Sequence, residues 1–283
     1  MTACADDLFF SDGSDTENPW KYSYDFDASY SYTDGVNLGG ADIAEQDASA
    51  HYIVTAQYND KAPLRVGLSW QRFSFSSAGA VAVPNTLQAM ALVAGFDVEL
   101  PHSIFVRVEA QPGFYSGSSS VSGRDFNVPV IIGGSYLYNK DLQFVLGVSV
   151  DFNRQYPVLP GGGIRWQINR QWLLNAVLPT PRLEYALNQK VTLYGGAIFE
   201  EETYRVDAKF GRTHGQSKLN SAWVDFTEIK AGAGARYELN PTARLELEAG
   251  SLVYRELDYH RADYDLHSSA GGVYGRIGFS AKY

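Results

Sequence analysis

Between residues 20 and 32 the chain alternates without a break. Trp20, Tyr22, Tyr24, Phe26, Ala28, Tyr30 and Tyr32 fall on one face, and Lys21, Ser23, Asp25, Asp27, Ser29 and Ser31 on the other. Period two is the mark of a β-strand with two unlike faces. At about 3.3 Å per residue this strand reaches ~40 Å, whereas strands of globular domains are mostly about six residues long. The pattern recurs in 47–58, 64–71, 87–100, 104–111, 126–138, 142–153, 163–168, 172–178, 182–187, 191–206, 224–239, 243–257 and 273–283. No segment repeats at 3.6 residues, so no helix longer than a turn is expected, and no run approaches the ~18 apolar residues of a membrane helix.

The connections alternate in length. Tight turns fall at 59–61, 101–102, 139–141, 169–171, 188–190 and 240–241, and longer polar loops at 33–45, 77–85, 117–125, 154–161, 212–221 and 258–270, with the short 179–181 link on the long-loop side. An antiparallel meander with its turns at one end and its loops at the other is the organisation of outer-membrane barrels, with short periplasmic turns and longer extracellular loops. The rings agree: 19 Tyr, 15 Phe and 5 Trp gather toward segment ends, where aromatic belts meet the two membrane interfaces. A soluble sandwich would need an apolar partner layer for every apolar face, and its strands would be shorter. The expected fold is all-β: a transmembrane antiparallel up-and-down β-barrel of fourteen strands, with twelve the alternative because 172–178 and 182–187 fall short of about 9–11 residues. Residues 20–283 form this barrel and 1–19 an acidic tail. Pro112 and Pro129 should mark bulges, because proline lacks a ladder N–H.

Two features bear on location. Ala3-Cys4-Ala5 has the small-x-small form of a signal-peptidase site, which suggests a trimmed export signal ahead of a Gram-negative outer-membrane protein. The last segment ends on Tyr283 with Val273, Gly275, Ile277, Phe279 and Ala281 on its face, and it resembles the signal read by the barrel-assembly machinery. The stretch Tyr156-Pro157-Val158-Leu159-Pro160-Gly161-Gly162-Gly163-Ile164-Arg165-Trp166, with Trp172, Leu178-Pro179-Thr180-Pro181-Arg182-Leu183-Glu184-Tyr185 and Leu193-Tyr194-Gly195-Gly196-Ala197, resembles a family of uncharacterised bacterial outer-membrane barrels, a domain of unknown function. The resemblance implies fold and location and carries no activity with it.

Charge narrows the function. Lys+Arg of 23 against Asp+Glu of 32 gives a net charge of −9, which repels nucleic acid. If the apolar face meets lipid, the other face lines the lumen. Its charged residues are Asp25, Asp27, Arg65, Asp97, Glu99, Arg107, Glu109, Asp151, Arg165, Arg182, Glu184, Glu228, Lys230, Arg236, Arg244, Glu246 and Arg276. Such a lumen suits a passive, porin-like pore for small hydrophilic solutes or ions, with an acidic excess that favours cations. A structural or binding surface barrel without transport is the second reading. The third is a hydrolase using the outer loops, where His260, His267, Asp258, Asp263 and Asp265 gather, with His214 and Ser217 in the preceding loop. No Gly-x-Ser-x-Gly, His-Glu-x-x-His or zinc-type Cys/His spacing supports that chemistry, and neither a metal nor a cofactor is implied. A carrier of apolar ligands would need an apolar pocket inside, and the inward positions read from the sequence are mostly polar.

Overall fold

The computed structural model describes residues 20–59, 62–76, 79, 81–268 and 271–283. The acidic tail and Cys4 lie outside the described residues. β1 (Trp20–Leu38) and β2 (Ala41–Tyr58) form one long hairpin turning at Gly39 and Gly40, both at positive φ (63° and 91°) where a side chain would be strained. β3 (Leu64–Phe75) and β4 (Thr86–Leu100) follow. β5 runs in two pieces, Ile104–Ala110 and Gly113–Ser116, and so does β6, Phe126–Asn127 and Val130–Asn139. β7 (Leu142–Val150), β8 (Val158–Gln167), β9 (Trp172–Val177) and β10 (Arg182–Ala186) are short. β11 (Val191–Arg205), β12 (Trp223–Asn240) and β13 (Ala243–Asp258) are long, and β14 comprises Asp265–Ser268 and Val273–Lys282.

Each strand pairs antiparallel with the next, and β14 returns to β1, from Lys282 opposite Asp25 to Tyr274 opposite Thr33. Tyr24 and Tyr283 exchange both backbone hydrogen bonds at 2.8 and 2.9 Å. The barrel therefore closes with fourteen strands, and the twelve-stranded alternative falls. β9 and β10 are wall strands despite their six and five residues. The breaks in β5 and β6 fall at Pro112 and Pro129, but the register runs on unshifted across both, so neither marks the expected bulge. Their carbonyls still accept from Leu92 and Gln111 at 3.0 and 2.8 Å.

Along the lower part of the wall the outward face is apolar and exposed, with Tyr22, Tyr30, Leu64, Val66, Leu68, Leu92, Leu146 and Ile277 among its members. Rings pair at its lower rim, Trp20 with Tyr58 and Trp172 with Tyr185, at 4.9 and 4.8 Å between centroids. Only lipid makes such an exterior favourable, so this half spans a membrane.

Above the band the faces exchange roles. Asp34, Asn37, Asp42 and Gln46 point out, while Val36, Leu38, Ile43, Phe73, Phe75, Leu87, Phe226 and Leu257 pack inside. Phe73 and Phe75 meet the Phe226 ring at 4.7 and 5.7 Å. Loops complete this core. Phe210 and Leu219 from 206–222 enter it, and Tyr259 donates its hydroxyl hydrogen to the Ala82 carbonyl at 2.9 Å. Segment 33–45, expected as a loop, is thus a strand hairpin, whereas 212–221 is a loop as expected, exposed or half-buried apart from Leu219, through which it lids the core. A one-residue register shift between Thr33 and Val36 moves the buried face from odd to even positions, which hides the continuing strand from a period-two reading.

A buried ion network lies directly beneath the apolar core. Arg255 Nη2 contacts Glu45 at 2.7 Å and Glu228 at 2.6 Å, and Lys230 contacts Glu45 at 3.1 Å and also Glu228; all four side chains are almost fully buried. Such a network is held by mutual satisfaction, so losing one member costs more than the intact network contributes.

Two stability outcomes follow. Leu68→Arg, at a position 59% exposed within the band, should weaken folding into vesicles by about 2–4 kcal/mol, read by denaturant titration. Arg255→Met leaves Glu45 and Glu228 facing each other with Lys230 alone and should cost about 3–5 kcal/mol in the same titration.

Candidate functional site

Inside the membrane-spanning half, below the ion network, lies a cavity of about 150 Å³. Among the described residues its wall carries the carboxylates Asp25, Asp27, Glu109, Glu184, Glu200, Glu202 and Glu246 and the guanidinium groups Arg65, Arg107, Arg182, Arg236, Arg244 and Arg276, with His51. The strands bring them together because each occupies an inward position of its own strand. Opposite signs then meet across the lumen as well as along the sheet. Arg65 lies 3.6 Å from Glu109 on non-adjacent β5, and Arg182 reaches Glu246 and Glu248 on β13 at 3.3 and 3.4 Å. Arg236 joins Glu184 at 3.0 Å and Glu246 at 2.7 Å. Glu248 also accepts from Tyr194 at 3.0 Å and from Tyr274. Arg182 lies over the Tyr194 ring, 4.3 Å from its centroid.

The remaining candidates sit elsewhere. Asp97 holds Arg107 through two bonds of 2.7 and 2.9 Å near the lower rim. Glu99 is exposed at that rim, and Arg165 is half-buried on β8, outside the cavity lining. Glu228 and Lys230 belong to the packed network rather than to a water-filled passage. Asp151 ties the β7–β8 loop, accepting from Asn127 and from the Asn153 backbone at 2.8 Å each. The reason is common to these cases: alternation specifies which face a residue occupies but not its height along the axis or what fills the space before it.

The outer loops do not form a catalytic constellation among the described residues. His260 Nδ1 lies 3.3 Å from Asp225, which accepts from Thr203 at 2.8 Å and from the Gln155 backbone at 2.8 Å. His267 pairs with Asp265 at 3.2 Å on the surface, and His214 bonds the Phe210 carbonyl in its own turn. No group of three His, Cys, Asp or Glu among the described residues could hold a metal.

A second cavity, of about 450 Å³, was not foreseen. It arises where the barrel narrows. Above the short strands β7–β10 the long strands close on themselves: Ser116 of β5 pairs parallel with Arg205 of β11, and Gly117 N donates to Arg205 O at 2.7 Å. The outer parts of β11 and β12 therefore lean over the lumen. Their outward residues Phe199 and Ile229 share a cleft with the inward residues of β6–β8, among them Ile131, Val145 and Leu159. Gly133, Gly147 and Gly161 lie in register across those three strands and leave the wall bare of side chains. The glycines were legible as a concentration in strand segments, which marks close approach or cleared space.

No family model matches the chain, and no curated protein is similar to it. Among solved structures it is similar to an outer-membrane channel from Pseudomonas putida F1 (TM-score 0.48, 8% identity, covering 96% of this chain and 100% of the other). It is also similar to the Pseudomonas putida toluene transporter TodX (0.45, 9%, 92% and 89%). A third likeness is to the translocator domain of the autotransporter NalP from Neisseria meningitidis (0.36, 12%, 93% and 88%). A closed fourteen-stranded barrel with an apolar exterior band is the architecture of the bacterial outer membrane.

Proposed function

We propose that the chain is a passive outer-membrane channel for small hydrophilic solutes or ions, entered by way of the charged lumen and closed at rest by the apolar core of its outer half. It would reach the membrane through an export signal, and through the barrel-assembly machinery acting on the strand that ends at Tyr283. The observation that supports this reading most is the convergence of carboxylates and arginines from strands all round the barrel on one cavity within the apolar-banded wall. Charged walls of this kind select by sign and size. The packed core around Phe210, Leu219 and Tyr259 favours the second reading, a binding or structural barrel, because it blocks a straight route outward.

Planar-bilayer recording separates the two. Wild-type protein should insert and show rare unitary openings, and Phe210→Ala with Leu219→Ala should make them frequent by loosening the lid. Insertion with no conductance steps in either protein at any voltage or salt defeats the channel and leaves the binding barrel.

Selectivity reads the same cavity. Because Glu246 holds both Arg182 and Arg236, Glu246→Gln should shift the reversal potential under a KCl gradient toward anions. An unchanged reversal potential means that ions do not pass these residues.

A further inference from the structure

From the glycine-floored cleft we infer a binding site for an uncharged, largely hydrocarbon molecule that enters sideways from the bilayer. This goes beyond the channel reading and does not depend on it. The cleft's volume of about 450 Å³ falls within the range of small-molecule sites, about 300–1,000 Å³. Its lining is predominantly apolar, which is the reverse of the charged cavity below.

Three observations identify the occupant. The first is continuity with lipid. The cleft is bordered by Leu146, 73% exposed, and by the exposed Leu178 and Phe199, all part of the apolar exterior. A hydrocarbon can therefore pass from acyl chains to the cleft without crossing water, and gains nothing by leaving into the aqueous loops.

The second is the bare wall. Gly133 pairs with Gly147 and Gly147 with Gly161, all on the inward face. A Cβ built on Gly161 would meet nothing within 4 Å, and one on Gly133 only the Leu146 carbonyl at 3.9 Å. Side chains would fit there, so strand packing does not demand glycine at these two positions. Their absence keeps a flat surface open to whatever lies in the cleft.

The third is the charge balance at the cleft's polar end. Arg154 already faces Glu201 at 3.7 Å and bonds Ser149 at 3.0 Å, Arg107, the other cation of the lining, is held by Asp97 through two bonds, and Glu228 is committed to Arg255 and Lys230. A ligand carboxylate would meet Glu200, Glu201 and Glu228 without a spare cation, and a ligand cation would compete with Arg154. What remains along the cleft among the described residues is three buried groups without a hydrogen-bond partner, the donor Arg154 Nε, the acceptor Glu200 Oε2 and the hydroxyl of Ser135. A neutral group that both donates and accepts, such as a hydroxyl, suits that end; a charged head does not.

Photolabelling tests the assignment. Protein in phosphatidylcholine vesicles is irradiated with a long-chain alcohol carrying a diazirine in its chain, and the modified peptides are mapped by mass spectrometry. Labelling should concentrate on residues 145–149, 159–161 and 199, above the general labelling of the lipid-facing band. Gly161→Leu and Gly133→Leu, each filling the cleft from a position with room for a side chain, should abolish that concentration. Gly275→Leu, on the exposed face of β14 with open space around it, should leave it intact. Heat-modifiable migration confirms that each variant is folded. Labelling spread evenly over the band, or a concentration that survives both filling variants, overturns the site. Equal or stronger labelling of the cleft by the carboxylic acid of the same chain length overturns the assignment to an uncharged ligand.

Discussion

A sheet edge left open in hydrocarbon strands its N–H and C=O groups without partners, and the architecture follows from removing that edge twice, with two different numbers of strands. Within the apolar band the seam is β14 on β1, where fourteen strands complete the ring. Above it the short strands β7–β10 have ended, and the long ones close through Ser116 and Arg205. That second closure is parallel because an odd set of alternating strands, β11 through β14 and β1 through β5, brings together two that run the same way. The narrower ring has no space for a lumen, so its interior is filled by side chains.

The change in diameter explains the change in polarity. In the wide half the exterior meets lipid and the interior has space for paired charges. In the narrow half water lies outside, and the interior must hold an apolar core as in any soluble domain. The network of Glu45, Glu228, Lys230 and Arg255 sits where these regimes meet. Three of the four neighbour a core residue on their own strands, Glu45 beside Ile43, Glu228 beside Phe226 and Arg255 beside Leu257 in the inward series. The charges are thus removed from water by the core above while still compensated by one another, which makes the layer rigid and specific in register rather than a source of large net stability.

Much of this was legible in the chain. Thirteen or more residues of strict alternation from Trp20 onward are compatible with few structures, and the turn-and-loop asymmetry gave the topology and strand number. Arg65, Arg107, Arg182, Arg236, Arg244 and Arg276 were assigned to the lumen by inward parity, and they reach one cavity because their heights along the axis also coincide, as that of Arg165 does not. The outer half was not legible, for two physical reasons. The extra residue between Thr33 and Val36 and a second register shift beside Lys230 reverse the phase of the pattern. The core is also contributed by loop residues such as Phe210 and Leu219, whose neighbours in sequence are polar. The cleft was hidden for a third reason: it is formed between the inner face of one set of strands and the outer face of another, a relation that no single-strand periodicity contains.

The two cavities are not independent. Arg107 and Glu200 line both, so the apolar cleft and the charged lumen share a wall. The apolar core stands above this shared wall, on the side of the outer loops, and does not separate the two spaces. A molecule entering from the bilayer through the cleft would therefore bypass the packed lid that blocks the axial route. It would then face paired charges, where an uncharged hydrocarbon gains little and a hydrated solute gains much. The same wall sets opposite preferences on its two sides: the cleft retains what the lumen does not solvate, and the lumen holds what the cleft excludes.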